Sequence, residues 1–405
     1  MKSISSMALL ASLVLISCSK SSSSEDNAPP PKEVSKETLV GNIVYNLVPG
    51  AAQQFSDDLL ALSKAWDLQC RGDSQDSSAL HAAFQRTVES WQMFHILTYA
   101  PIGEDPHEWK LAVDSASSTR AIPFHITKAA AQVLEGEELT LKANQSGLDA
   151  LEILIYRDEE LTCHSRSRQS RMGFTRVDRT WTGLSQEEQQ KSFCLLGQKI
   201  LADLRQQASV LMESWNPKTS QRPDQLSLAV QSSLTMASES LLAVDPLIKD
   251  LKLLRPLGLV EACPSGKTCP CLVEYPYGKL SKEALMANLR GLRAFFDGRI
   301  DEVSLANPDI PAVGFADYLK LIGHKDLAAN IAEKIDMALG YAEALDGSMY
   351  EAVSQLEAGS CVEDSAGAPL CLVYGAVKEL SDLIKGEFQL AMNVDVPKRA
   401  GGDND

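Results

Sequence analysis

Apolar residues recur three and four positions apart through most of the chain, which is the period of one face of an α-helix. Phe55, Leu59, Leu62 and Trp66 form one such stripe, and Leu80, Phe84, Val88 and Trp91 form another. A longer one runs through Phe193, Leu196, Ile200, Leu204, Leu211 and Trp215. The pattern returns at Leu285, Leu289, Leu292 and Phe296, then continues through Ile331, Ile335, Leu339, Leu345, Met349, Val353 and Leu356. A last stripe takes in Val377, Leu380, Leu383 and Phe388. Strand-like alternation is hardly seen, so the pattern predicts an all-α protein packed as helical bundles. Pro217 and Pro223, with polar neighbours, interrupt it near the middle of the chain. The expected division is an N-terminal bundle over 35–216, a C-terminal bundle over 224–395 and a short tail over 396–405. Two stretches lack the helical period, 100–146 and 257–278, and read as long insertions that either carry function or decorate the surface.

The first residues have a different character. Lys2 precedes an apolar run over 7–16, and Leu15-Ile16-Ser17-Cys18 has the form of a bacterial lipoprotein cleavage box. Residues 1–17 therefore read as a signal peptide and Cys18 as the lipid acceptor. The run is shorter than the roughly 20 residues that a bilayer core demands, so it does not read as a spanning helix. Residues 18–34, rich in Ser and Pro, read as a flexible tether. Ser19, with no Asp behind the cysteine, resembles lipoproteins sent to the outer membrane of Gram-negative cells, facing the periplasm or the cell surface.

A formal charge of −16 argues against nucleic acid as a partner, because that binding needs clustered Lys and Arg. Of nine cysteines, eight lie beyond Cys18, an even number in a compartment where disulfides persist. Cys361 and Cys371 are the favoured local pair, since a Gly-, Ala- and Ser-rich loop separates them. Cys263, Cys269 and Cys271 admit a metal site as the rival reading, although their spacing is not that of paired Cys-x-x-Cys knuckles.

The chemistry concentrates at 146–156. Asp149 and Glu152 stand three apart after a polar loop, on one face of a predicted helix, where two carboxylates can ligate a metal together. Ser146 followed by Asp149 is also a capping-box pattern, which is the simpler account of Asp149. Glu152 has no such account. Leu148, Leu151 and Ile155 surround it, so it is expected to be buried and to need a partner.

Gly147-Leu148-Asp149-Ala150-Leu151-Glu152 resembles the Gly-x-His-x-x-Glu signature of the imelysin family, exported bacterial proteins known as metallopeptidases and as iron-regulated proteins. Trp91-Gln92-Met93-Phe94 leading to Ala100-Pro101-Ile102-Gly103 is similar to that family's Trp-rich helix and Gly-Pro turn. Leu289-Arg290-Gly291-Leu292 and Phe296-Asp297-Gly298 are similar to its second-domain segment. The resemblance spans about 37 to 392. It implies a fold of two helical bundles, a site at Gly147, Asp149 and Glu152, and a place for His95, one turn past Trp91, as a third ligand. A divalent metal ion (iron, zinc or calcium) is the implied cofactor, and a metal or metal chelate the implied ligand. Asp149 stands where the family has histidine. Two carboxylates favour harder cations than imidazole does, and no His-Glu-x-x-His pair occurs in the sequence. Peptidase activity is therefore the weaker of two implications, and a membrane-anchored ligand-binding protein associated with iron acquisition is the stronger. A site-less scaffold for a protein partner is the third reading. His107 and His125 lie in the first insertion. Arg157, Arg166, Arg168, Arg171, Arg176 and Arg179 form a basic cluster that suits an anion or a solvated loop.

Overall fold

The structure, a computed structural model, describes residues 33–72, 77–97, 122–136, 139–157, 177–214, 230–260, 263, 266–300, 307–357, 359–361 and 368–394. The expected lipid site at Cys18, most of the tether, the 216–224 division and the tail lie outside the described residues. So do Trp215, His107, His164 and the cluster arginines between Arg157 and Arg179.

Among the described residues the elements are helical throughout, as the period predicts. The first half holds α1 (Lys36–Asn42), α2 (Val48–Arg71), α3 (Ser78–Ile96), α4 (Pro123–Leu134), α5 (Gly147–Ile155), α6 (Arg179–Thr182) and α7 (Gln186–Ser214). The second holds α8 (Val230–Leu242), α9 (Ser281–Asp297), α10 (Phe315–Leu321), α11 (Lys325–Glu343), α12 (Met349–Gln355), α13 (Pro369–Leu383) and α14 (Gln389–Met392). Wider π-helical turns occupy Ile43–Leu47, Val244–Leu254 and Ile384–Phe388. No helix is long and apolar enough to cross a membrane among the described residues.

The stripes read from sequence are the core faces. Phe55, Leu59, Leu62 and Trp66 on α2 and Leu80, Phe84, Val88 and Trp91 on α3 are all buried, and these two helices pack on each other. Trp91 tilts against Phe55 with ring centroids 5.3 Å apart. The pattern over 331–356 is not one helix. Ser348 caps the break, accepting from the Glu351 N–H while the Glu351 carboxylate accepts from the Ser348 N–H, and Gly347 turns the chain with φ +70°. The first insertion is partly regular as well. Pro123 opens α4 with its fixed φ, and Ile126, Ala129, Ala130 and Ala131 form its buried face.

Packing is continuous across the middle of the sequence. From Val34 onward the chain belongs to one compact unit. Helix α3 lies along α9 so closely that a Cβ at Gly291 would come within 2.8 Å of the Met93 carbonyl oxygen. From α1, the fully buried Asn42 donates through Nδ2 to the carbonyls of Gly298 (2.8 Å) and Val313 (3.0 Å).

Three disulfides brace the described residues. Cys361–Cys371 forms as expected, Cys70–Cys194 ties α2 to α7, and Cys263–Cys269 closes a short loop. The last of these removes two thiolates from the rival metal reading. Cys271 is also disulfide-bonded.

Candidate functional site

The signature segment opens α5, and its glycine has a geometric reason. Gly147 starts the helix with φ +83°, a conformation that residues with a Cβ rarely adopt. Ser146 then makes no side-chain cap bond and its Oγ donates instead to the Lys142 carbonyl, so the capping box expected of Ser146 and Asp149 does not form. Asp149 is a carboxylate in the first turn of a short helix, 5% exposed, where the positive end of the helix dipole favours its charge.

Glu152, one turn further on, is 1% exposed. Its Oε1 accepts from the Gly278 N–H at 2.8 Å, which pins α5 to the second insertion. The later part of that insertion is internal, since Cys269, Cys271, Val273, Tyr275 and Tyr277 are all buried, whereas Val260, Gly266 and Lys267 are exposed. Surface decoration is thereby corrected to core for 269–277. The turn around Gly278 is strained: Tyr275 and Lys279 both have left-handed backbones, at φ 47° and 55°. Such a conformation costs an L-residue roughly 1–2 kcal/mol, so the surroundings must hold it. The Leu280 N–H donates to the Tyr275 carbonyl and the Ser281 hydroxyl to the Glu274 carbonyl. A Cβ at Gly278 would come within 2.8 Å of the ring of Tyr156, which stacks on His81 at 4.5 Å.

Beneath the turn lies a buried polar hub that the sequence did not disclose. The Lys252 ammonium, 3% exposed, pairs with Glu274 and donates to Gln92 Oε1 at 3.0 Å. Gln92 Nε2 donates to the Tyr275 hydroxyl at 3.2 Å, and Asn288 Nδ2 donates to the Gln92 main-chain carbonyl at 2.6 Å. Gln92 follows Trp91, so the Trp-rich helix reaches the signature region through its polar residue. The signal for Lys252 was the one that exposed Glu152, a charge set among Leu251, Leu253 and Leu254. For Glu274 to Lys279 it was a Tyr-Pro-Tyr-Gly run inside an aperiodic stretch.

His95 is 6% exposed and stacks on Trp91 with centroids 5.3 Å apart and planes 8° apart. It stands on α3 and the two carboxylates on α5, helices that pack together. The structure does not gather the three into one metal-holding group: among the described residues no three His, Cys, Asp or Glu side chains are so arranged. His125, near the start of α4, has Phe124 as its ring neighbour. Arg157 lies over the Phe193 ring at 5.4 Å, and Arg179 is exposed on α6.

The arrangement defines a class: an all-α, disulfide-braced protein with two buried carboxylates on a short helix, clamped by a strained loop from the far half of the sequence. The imelysin family profile matches residues 48–383, and the chain belongs to that family. Its fold is that of an imelysin-like protein from Psychrobacter arcticum 273-4, at 14% identity and TM-score 0.61, over 90% of this chain and 99% of that one. An iron-regulated protein A precursor from Parabacteroides distasonis ATCC 8503 is equally similar, at 11% identity and TM-score 0.61, over 89% and 96%. No curated protein is a significant match.

Proposed function

We propose that this chain is an exported, lipid-anchored member of the imelysin family that binds a ligand at the seam of α5 and the 274–279 turn, in the service of iron acquisition. The observation that carries the reading is Glu152. A carboxylate at 1% exposure is costly to bury, and it is held in place by a loop that is itself strained. Geometry of that cost is kept at sites where it positions a group. The family supports a metal ion or metal chelate as the ligand, and the iron-regulated relative supports iron.

The donor set bears on that ligand. Asp149 and Glu152 supply hard oxygen donors, and one oxygen of Glu152 is already engaged by the Gly278 N–H. Among the described residues no three His, Cys, Asp or Glu side chains make the three-ligand group of a catalytic zinc centre. What the chain's own residues do is orient two carboxylates, exclude water from Glu152 and fix the turn that covers it.

Metal analysis and thermal unfolding of the purified protein with Fe²⁺, Zn²⁺ or Ca²⁺ test the reading, beside an Asp149→Asn/Glu152→Gln variant that keeps shape and removes charge. Metal-dependent stabilisation in the parent and none in the variant is the expected result. No response in the parent, or an equal response in both, overturns it.

A further inference from the structure

On the outer face of the α3–α9 contact lies an open cavity of about 1090 Å³, separate from Glu152 and walled by both halves of the sequence. Its floor is α9, where Ala287 and Ala294 leave depth, and its walls come from α2 and α3 on one side and α10 and α11 on the other. Five cationic side chains line it in a chain of formal charge −16, so overall composition does not account for the concentration.

Acids line it too, and the distribution of partners decides its character. Asp58 accepts from Gln54 at 3.0 Å and Glu89 from Gln85 at 2.7 Å. Asp297 and Asp336 are both held by Arg293, at 2.6 and 3.0 Å, and Arg293 also donates to the Ala332 carbonyl. That arginine is a structural bolt between α9 and α11. Arg86, Arg290 and Arg299 are placed differently. Arg86 meets Asp58 only through Nε at 4.0 Å, Arg290 meets Glu343 at 3.5 Å outside the cavity, and Arg299 makes no ion pair among the described residues. A guanidinium carries five donors in a planar fork that matches carboxylate and phosphate oxygens. Asp317 accepts from the Gly314 N–H and meets Lys320 at 3.8 Å, so each of the five acids has a partner while three arginines, on α3, on α9 and just past its end, keep most of their donors.

We propose that this cavity is a second binding site, for a small molecule bearing several carboxylate or phosphate groups, with Arg86, Arg290 and Arg299 as its contacts. Its volume is slightly above the roughly 300–1,000 Å³ of small-molecule sites, which suits a hydrated, multiply charged anion. Met93 lines the cavity and its neighbour Gln92 belongs to the buried hub, so one turn of α3 borders both places.

Titration calorimetry of the purified protein at low salt, with citrate in one arm and pyrophosphate in the other, tests the site and tells the two anion types apart. Saturable binding of at least one probe is expected. Arg86→Gln/Arg290→Gln should weaken it by about tenfold or more, the equivalent of about 1.4 kcal/mol. Arg179→Gln, distant on α6, should leave it unchanged, as should Asp149→Asn/Glu152→Gln. Absence of saturable binding by either probe overturns the proposal, and so does equal affinity in the Arg86/Arg290 variant. Loss of binding on changing Asp149 and Glu152 would overturn the separateness of the two sites.

Discussion

Two substitutions at Glu152 separate a carboxylate kept for a ligand from one kept for the fold. Glu152→Ala removes the acceptor of the Gly278 N–H, a hydrogen bond to a charged group worth about 1.5–3 kcal/mol. It also removes one buried methylene, worth about 0.8 kcal/mol. A loss of roughly 2–4 kcal/mol in urea unfolding is expected, with the slope against urea unchanged. Glu152→Gln keeps the size and an oxygen for Gly278. It forfeits only the charge-assisted part of that bond, and it no longer buries a charge, so it should stay within about 1 kcal/mol of the parent. The ligand reading adds a second axis. A metal at a hundredfold its dissociation constant raises stability by about 2.7 kcal/mol, and that increment should vanish in Glu152→Gln. A loss of about 3 kcal/mol or more in metal-free Glu152→Gln would refute the reasoning. Such a loss is the signature of a broken buried ion pair, and it would make Glu152 a structural anchor.

The remaining predictions probe the frame around the site. Burial alone would push the Asp245 carboxyl up, but hydrogen bonds from Lys249, Ser381 and Lys385 outweigh it and hold the carboxyl below its ordinary value. Its contribution to stability is therefore complete above the unfolded value of about 4 and is lost as pH falls through the lower folded value, so Asp245→Asn should flatten the acid limb of an unfolding-versus-pH curve. Glu283 has the opposite sign: burial, with Glu89 nearby, raises its carboxyl. Glu283→Gln should stabilise the protein at neutral pH, with the gain gone once the pH is below the unfolded value; a loss at neutral pH would contradict this. Asn42→Ala strips the partners from two main-chain carbonyls and should cost about 1–3 kcal/mol in urea unfolding. Opening Cys70–Cys194, which are 124 residues apart, should cost about 4–5 kcal/mol by loop entropy, read from unfolding of the Cys70→Ser/Cys194→Ser variant.

What could be read from sequence divides by the range of the interaction. The stripes on α2, α3, α7 and α9 were legible because a helical face is written in residues three and four apart. Burial of Glu152 was legible for the same reason, since its apolar neighbours are one turn away. Its partner was not, because Gly278 lies 126 residues further on and nothing local to either residue announces the other. The capping box at Ser146 and Asp149 misled for a related reason. The motif is a local possibility, and a glycine with positive φ at the first helical position and a competing bond to Lys142 decided against it. The aperiodic run at 257–278 carried no period because the one helical piece among its described residues is the short turn Pro270–Leu272, yet Cys269, Cys271, Val273, Tyr275 and Tyr277 in it are buried.

The π-helical turns give that buried loop its setting. A wider turn displaces the side chains that follow it from ordinary helical register, and such turns are frequent at functional sites. Val244–Leu254 is the longest here, and it presents two lysines with separate duties. Lys249 meets Asp245 at 2.8 Å within the same turn, and Asp245 is also reached at 3.1 Å by Lys385 from the turn Ile384–Phe388. Lys252, on the other side, carries Glu274 and Gln92. One charged pair thus fixes the π-helix to the C-terminal helices while the next holds the strained loop that bonds Glu152. Loss of the first pair should be felt at the second: Lys385→Met is expected to lower the unfolding midpoint and also to weaken the metal response that depends on Asp149 and Glu152. Lys334→Met, which removes an ion pair between α11 and Glu379 on α13, should leave that response intact. If the two variants reduce the response equally, the π-helix does not transmit position to the site.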